Sequence, residues 1–325
     1  MNRQQGIRHA LVILVACALA APAIAQTWPE RTVRIVAPFS PGGGTDIVGR
    51  LLAQKLSSQM GGRFVVENRP GAAATIGASF VARAAPDGYT LLISAPEMSI
   101  HPSMRSKLPY DPLKDFALIS QLTSGQFMLA SHPSVPIKTV KELIAFAKAR
   151  PGQLNYGSSG TGGINHLSGQ FLQLTAGFRW VHVPFKGSGA SRIALMTGEI
   201  DFVFGSTASL VGPVSSGRVR AIAVTGPKRF ARFPNVPTIA ESGVPGFNVT
   251  GWYGLYAPAG TPVDIVRRLN AGVKRALNSP DVKEKLAKTG NEVVASSPEE
   301  FAAFLRAQIA KWAKVIRDSG VKKIN

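Results

Sequence analysis

The stretch PFSPGGGTD (Pro38–Asp46) lies between a β-branched run, Thr32–Ala37, and an amphipathic segment, Ile47–Leu56. The run before it predicts a strand, and the segment after it predicts a helix. Three consecutive glycines let the backbone turn sharply between the two, and Thr45 or Asp46 can cap the helix. A strand, a tight turn and a helix in this order are typical of an α/β fold.

The same alternation continues along the chain. β-branched and aromatic runs predict further strands at Phe64–Glu67, Thr90–Ser94, Phe127–Ala130, Leu154–Gly157, Trp180–Pro184, Asp201–Phe204 and Val219–Thr225. Amphipathic segments between them predict helices that include Val140–Lys148, Ile164–Leu174 and Ser191–Thr197. After Asn248–Ala257 the periodicity becomes helical, at Pro262–Leu277, Val282–Lys288 and Pro298–Ser319. We therefore predict an α/β fold with largely parallel sheets, with the last helices packed outside its first part.

Two more glycine-rich turns follow predicted strands, YGSSGTGG (Tyr156–Gly163) and FKGSGA (Phe185–Ala190). Proteins of the α/β class bind ligands where strands end, and the free N–H groups at the start of a helix attract carboxylate or phosphate. Each turn alone is as easily a simple connection. Three of them together indicate an anion-binding site.

Three side chains in or beside these turns have two interpretations each. His166 is more readily a packing or capping group than a metal ligand, because no second histidine or carboxylate lies four residues further on. Lys186 is either a surface charge or a ligand contact. Asp46 is more readily a helix cap than a general base, since a free carboxylate would repel an anionic ligand.

Known catalytic and nucleotide-binding patterns are absent from the sequence. GTDIVGR (Gly44–Arg50) has Arg50 where a phosphate-binding loop requires lysine and then serine or threonine. The serine-rich turn has Thr161 where a nucleophile elbow requires glycine, and Asn165 occupies the last glycine position of a dinucleotide fingerprint. We therefore predict a protein that is not an enzyme and has no cofactor or metal.

The amino terminus has the pattern of a secretory signal peptide. Arg3 and Arg8 precede an apolar run, Ala10–Ala20, and a small-residue triplet, Ala23–Ala25. The run is too short to span a bilayer, which requires ~20 residues. We predict cleavage after Ala25 and export to the periplasm, with a lipid-anchored form at Cys17 as the less favoured alternative. Since Cys17 is the only cysteine, cleavage after Ala25 leaves no disulfide or thiolate site.

Length and charge limit the remaining possibilities. A chain of 325 residues with 45% hydrophobic content has enough residues for two medium domains. The formal net charge of +19 raises the question of nucleic-acid binding. However, the basic residues are scattered and form no nucleic-acid-binding motif. We expect no nucleic-acid partner, and a basic surface that draws in anions over long range.

Taken together, the motifs resemble the receptors of tripartite tricarboxylate transporters, the Bug or TctC family. The resemblance covers nearly all of the chain after the predicted signal peptide. It is carried by PFSPGGGTD and by WPER (Trp28–Arg31), ENRPGAAATIGA (Glu67–Ala78), AAPDGYTLL (Ala84–Leu92), LPYDPLKDF (Leu108–Phe116), NYGSSGTGGINHL (Asn155–Leu167), VPFKGSG (Val183–Gly189), VPTIAESGVPGF (Val236–Phe247) and GWYGLYAPAGTP (Gly251–Pro262).

The resemblance implies a two-lobed periplasmic binding protein of type II-like topology, with mixed sheets, flanking helices and a ligand cleft between the lobes. Residues 26–124 would form the first part of lobe 1, 125–225 lobe 2, and 226–325 the return to lobe 1 with the carboxyl-terminal helices. The turns would grip a carboxylate. The site residues implied are Phe39, Pro41, Gly43, Thr45, Asp46, Ser94 and Ala95 on one side, Ser158, Gly160, Thr161 and His166 on the other, and Lys186 and Asp201 at the distal end.

The resemblance implies a monomeric receptor that captures a small carboxylate and delivers it to a large and a small membrane permease subunit. Dicarboxylates, tricarboxylates, acidic amino acids and aromatic acids remain possible ligands. Two alternatives belong to other classes of protein. One is a sensor that binds the same ligand for an envelope signalling system, and the other is an acyl- or phosphoryl-transfer enzyme on the same fold.

Overall fold

The computed structural model describes residues 28–319, 321, 323 and 324, so the predicted signal peptide and Cys17 lie outside the described residues. The strands are β1 (Val33–Ala37), β2 (Phe64–Asn68), β3 (Thr90–Ser94), β4 (Phe116–Ser131), β5 (Asn155–Ser158), β6 (Val181–Pro184), β7 (Phe202–Ser206), β8 (Arg220–Val224), β9 (Thr250–Pro258) and β10 (Asn291–Val293). The helices are α1 (Gly44–Met60), α2 (Thr75–Ala82), α3 (Glu97–Met104), α4 (Val140–Ala149), α5 (Ile164–Ala176), α6 (Ser188–Met196), α7 (Thr207–Ser215), α8 (Val263–Asn278), α9 (Pro280–Lys288) and α10 (Pro298–Ser319).

The strands pair in the order β2-β1-β3-β9-β4-β7-β5-β6, and β8 and β10 pair with β4. Strand β1 is parallel to β2 and β3, and β5 is parallel to β6 and β7. Strands β9 and β4 are antiparallel to their neighbours. The predicted α/β class with mixed sheets and flanking helices is confirmed.

Strand β4 belongs to two sheets. Its first part, residues 116–126, pairs with β9 and, at Thr123–Gly125, with β10. Its last part, Phe127–Ser131, pairs with β7 and β8. We call β1, β2, β3, β9, β10 and the first part of β4 the first lobe, and β5 to β8 with the last part of β4 the second lobe.

Each lobe has its own hydrophobic core. In the first lobe, helices α1, α8 and α9 cover the sheet through side chains such as Leu52, Leu269 and Leu286. In the second lobe, Tyr156 and Phe204 are fully buried beneath α4 and α5. Each fully buried side chain of this size contributes ~1.5–3 kcal/mol relative to exposure.

The segment 226–249 packs with the second core, through Ile239, Val244 and Phe247. Helix α10 contacts both lobes, because Phe301 packs on Trp252 of β9 whereas Trp312 lies in the second core. The predicted boundary between residues 225 and 226 stays a prediction. The next residue paired in the sheet of the first lobe is Thr250, at the start of β9.

Candidate functional site

The carboxyl ends of five strands meet at the junction of the two lobes. Strands β1 and β3 of the first lobe lead there into α1 and α3, and β5, β6 and β7 of the second lobe lead into α5, α6 and α7. The starts of these helices surround a cavity, which is lined by Phe39, Gly43, Gly44, Thr45, Ala95, Glu97, Phe127, Ser159, Ile164, Asn165, Ser188, Ser206 and Tyr253. The N–H groups that a helix leaves unpaired in its first turn, and the positive end of its dipole, favour an anion in such a place.

The cavity is small because the lobes are shut over it. The volume open to the centre of a water molecule is about 20 Å³, which is room for roughly one water. A ligand of several heavy atoms therefore enters only when the lobes part, and lobes that close on it leave it more room than they leave here. A larger apolar groove of about 220 Å³ lies between α5 and α10, but it lies away from the strand ends.

Hydrogen bonds between the lobes hold the cleft shut. The amide of Ser40 donates to the carbonyl of Lys186 (3.0 Å), and the Ser40 hydroxyl accepts from the amide of Ala190 (3.2 Å). Arg192 donates through Nη1 to the carbonyl of Gly42 (3.1 Å). At Gly189 the chains approach so closely that a Cβ atom there would overlap the carbonyl oxygen of Pro41.

Asp46 stabilises the glycine-rich turn from behind. Its carboxylate accepts from the amide of Gly42 (2.9 Å), from Arg50 Nε (3.0 Å) and from Asn68 Nδ2 (3.0 Å). Burial alone would raise the pKa of Asp46, but the hydrogen bonds from Arg50, Gly42 and Asn68 outweigh it and hold the pKa below its usual value. Asp46 is therefore an ionised structural group and does not line the cavity.

Replacement of Asp46 by alanine is expected to lower the free energy of unfolding by about 2–3 kcal/mol, because the Gly42 amide and the Asn68 amide group lose a buried charged acceptor. Urea unfolding at pH 7 measures the loss. The matched control is Asp281→Ala, which removes an exposed ion pair with Lys55 and should have a much smaller effect. Equal losses in the two variants would contradict the structural role of Asp46.

The second glycine-rich turn is supported by two histidines. The Ser158 hydroxyl lies 2.6 Å from His182 Nε2 and accepts from the amide of Gly160 (3.1 Å). His166 accepts through Nδ1 from the amide of Gly162 (3.2 Å), and its ring lies 4.1 Å from that of His182. Burial lowers the pKa of His166 to about 4 and that of His182 to about 3, so both rings are neutral at pH 7.

The structure brings only part of the predicted set to the cavity. Phe39, Gly43, Thr45 and Ala95 line it, and Ser94 is buried at the end of β3 just before Ala95. The other predicted residues lie around or away from the cavity. Pro41 and Lys186 are exposed, Thr161 is half-buried, and Asp46, Ser158, Gly160 and His166 form the turns behind the cavity wall.

Asp201 lies at the opposite end of its strand from the cavity. It precedes β7, where its carboxylate accepts from the amide of Asn155 (2.8 Å), whereas Ser206 at the other end of β7 lines the cavity. The sequence pattern put Asp201 inside a predicted strand, Asp201–Phe204. The observed strand begins one residue later and ends at Ser206.

Glu97 is a charged residue of the cavity that the sequence analysis missed. It begins α3 directly after β3, it is 1% exposed, and its Oε1 accepts from the amide of Ile164 across the cleft (3.2 Å). Burial raises the pKa of Glu97 to about 7. A carboxylate three residues after a predicted strand could have indicated a site residue. The helix that begins with Glu97 was not predicted, because it contains Pro102. Phe127 and Tyr253, from β4 and β9, were also missed as cavity residues.

Two lobes that share a strand and shut over a small cavity lined by helix starts define a solute-binding receptor. Residues 48–321 match the model of the tripartite tricarboxylate transporter family receptor. Protein BugT of Bordetella pertussis is 34% identical over 313 residues, which are 96% of both chains. The chain belongs to this receptor family, as its motifs indicated.

Solved structures of relatives agree with this assignment. Rpa4515 of R. palustris, determined with adipate, superposes with a TM-score of 0.88 at 35% identity over 91% of this chain and all of that one. MatC of Rhodopseudomonas palustris, determined with bound malate, superposes with a TM-score of 0.85 at 34% identity over 89% of this chain and all of that one. Adipate and malate, the acids in these two structures of relatives, each have two carboxylates.

Proposed function

We propose that this protein is an extracytoplasmic receptor that captures a small carboxylate and delivers it to the large and small permease subunits of a tripartite transporter. The observation that carries the proposal is the convergence of five helix starts on one cavity between lobes that close over it. The acids bound by the two relatives support the same ligand class. Within the described part of the chain, no helix combines the length and apolarity needed to cross a membrane.

Export by the predicted signal peptide is part of this proposal. The family assignment supports a location outside the cytoplasm, where a receptor meets its ligand before the permease does. Closure couples capture to delivery. A ligand that binds the shut form of the receptor more tightly than the open form raises the fraction of receptor molecules that are shut. The permease subunits would then recognise the receptor in its shut form, and the receptor would be a monomer.

The contacts around Ser158 argue against the enzyme alternative. Ser158 and His182 form a close hydroxyl–imidazole pair, as a nucleophile and a base would. However, the Ser158 side chain is fully buried and does not line the cavity, and its hydroxyl donates its one proton to the carbonyl of Gly160. The pair therefore holds the turn in place and has no access to a ligand.

Binding of dicarboxylates tests the proposal. The protein is first unfolded, freed of carried-over ligand and refolded. Its melting temperature should then be higher with malate or adipate than with the corresponding diamides. At a hundredfold excess over Kd, ligand adds ~2.7 kcal/mol to the stability of the folded state. Folded protein that responds to no acid in a wider panel of mono-, di- and tricarboxylates and amino acids would contradict carboxylate capture.

A further inference from the structure

Glu97 is a carboxyl group inside a cavity otherwise built for an anion. Its side chain is 1% exposed, and no lysine, arginine or histidine of the described residues lies within ion-pair distance of it. Its Oε1 accepts from the amide of Ile164, but Oε2 is buried and has no hydrogen-bond partner. Glutamate is almost never fully buried without a partner, because removing its charge from water is costly.

Two tyrosine hydroxyls and one arginine near Glu97 are engaged with other residues. The Tyr253 hydroxyl hydrogen-bonds with Ser206, and the Tyr110 hydroxyl lies 3.3 Å from His101 Nδ1. Arg105, which directly follows α3, donates through Nη2 to the carbonyl of Ala72. None of these groups supplies the donor that Oε2 lacks.

A second acceptor lies beside Glu97 in the cavity wall. Asn165 directly follows Ile164, whose amide donates to Glu97, and its side chain is 1% exposed. Its Nδ2 donates to the Ser188 hydroxyl (3.2 Å), and its Oδ1 is buried and has no partner. Two buried acceptors from opposite lobes thus line one small cavity. Both atoms therefore lack a hydrogen-bond donor, which a ligand between the lobes would be able to supply.

We propose that Glu97 selects ligands that carry an ammonium group close to their carboxylate, so that the cargo is a small amino acid. This inference rests on the proposed function, since the carboxylate of the ligand faces the helix starts. The ammonium group then lies against Glu97 Oε2 and Asn165 Oδ1. Such a charge-assisted hydrogen bond is roughly twice as strong as a neutral one, and it pairs the buried carboxylate.

Calorimetry with matched acids tests the selection. Aspartate and succinate, and likewise glutamate and glutarate, differ only by the ammonium group. At pH 8 we expect the amino acid of a pair to bind at least tenfold more tightly than its partner. In Glu97→Gln, which keeps an oxygen for the Ile164 amide, we expect that preference to disappear through weaker binding of the amino acid. The matched control, Glu284→Gln on the exposed face of α9, should bind as the wild type does.

Proton exchange on binding provides a readout that does not depend on any variant. An ammonium group favours the ionised form of Glu97, so binding of an amino acid near pH 7 should release protons. A second carboxylate favours the protonated form, so binding of succinate should take protons up. Titrations in buffers of different ionisation enthalpy measure the number exchanged. Tyr110, Tyr253 and His101, the titratable groups around Glu97, do not change charge near this pH, because burial raises the pKa of both tyrosines and lowers that of His101 to about 3.

The outcomes separate this inference from the proposed function. The role of Glu97 alone would be overturned by either of two results. One is that succinate and glutarate bind as tightly as aspartate and glutamate, and the other is that Glu97→Gln keeps the preference for amino acids. If folded wild-type protein binds none of these four acids but responds to another acid of the wider panel that lacks an ammonium group, only the role of Glu97 is overturned. If it responds to no acid of that panel, both are overturned. Tighter binding of the amino acids with proton release, lost in Glu97→Gln, would establish it.

Discussion

Replacement of Gly189 by alanine is expected to weaken ligand binding at least 100-fold while leaving both lobes folded. Gly189 lies in the first turn of α6, on the second lobe, and an added Cβ would overlap the carbonyl oxygen of Pro41 on the first lobe. When the lobes part, the overlap disappears, so the variant should fold normally but fail to close. A 100-fold loss corresponds to about 3 kcal/mol, which is the affinity that closure must contribute if this contact governs it.

Calorimetry on the best ligand, combined with small-angle scattering, measures both effects. With ligand the wild type should have the small radius of gyration of the shut form, and Gly189→Ala should keep the larger radius of the open form. Gly212→Ala is the matched control, because Gly212 lies in helix α7 of the same lobe and an added Cβ there meets no atom within 4 Å. Unchanged affinity and normal compaction in Gly189→Ala would show that the lobes need not approach this closely.

Replacement of Glu97 by glutamine is expected to stabilise the protein in a pH-dependent way. Burial raises the pKa of Glu97 from 4.5 to about 7 in the folded protein. The folded state therefore holds this proton more tightly than the unfolded state. The stability that the proton contributes is fully present below pH 4.5 and is lost as the pH rises to about 7. The loss amounts to about 3 kcal/mol, and glutamine, which does not titrate, should avoid it.

Urea unfolding of wild type and Glu97→Gln without ligand, between pH 4.5 and 8.5, measures this difference. The two proteins should be about equally stable at pH 4.5, and the variant should gain progressively up to pH 8. Other groups that titrate in this range are common to both proteins and cancel in the comparison. A constant difference across the range would mean that Glu97 has an ordinary pKa. If both expectations for Glu97 hold, the residue weakens the fold to gain ligand selectivity, which is a familiar trade-off in binding sites.

Periodicity predicted the elements whose residues obey one simple pattern. Thr90–Ser94 and Pro298–Ser319 have the predicted bounds, because one is a continuous buried run and the other a long amphipathic helix. Strand β4 was predicted only at Phe127–Ala130, since its first part contains the polar run Ser120–Gln121 and Thr123–Gln126. Those polar residues form a strand because β9 and β10 supply backbone hydrogen-bond partners on its two sides. The β-propensity of the residues themselves does not predict such partners.

The turns of the site were predictable from the sequence. Which of their side chains face the cavity, and which support the turns from behind, was not. The glycine-rich turns after the strands contribute Gly43, Ser159 and Ser188 to the cavity between the lobes. Which side chain of a turn faces the cavity depends on the direction of the helix that follows, and Asp46 turns away to Arg50 and Asn68. Helices α3 and α7 contain Pro102 and Pro213, which read as helix breakers, so Glu97 and Ser206 were missed with them.

Strand β4 also limits how this receptor can be recombined with its relatives. A chimera that takes its second lobe from another family member must join the two sequences between Gln126 and Phe127, in the middle of a continuous strand. Residues on both sides of that junction are held in register, by β9 before it and by β7 after it. A graft one residue too long would turn every later side chain of the strand to the wrong face. Ligand specificity in such receptors is therefore more readily exchanged one cavity residue at a time than by moving a whole lobe.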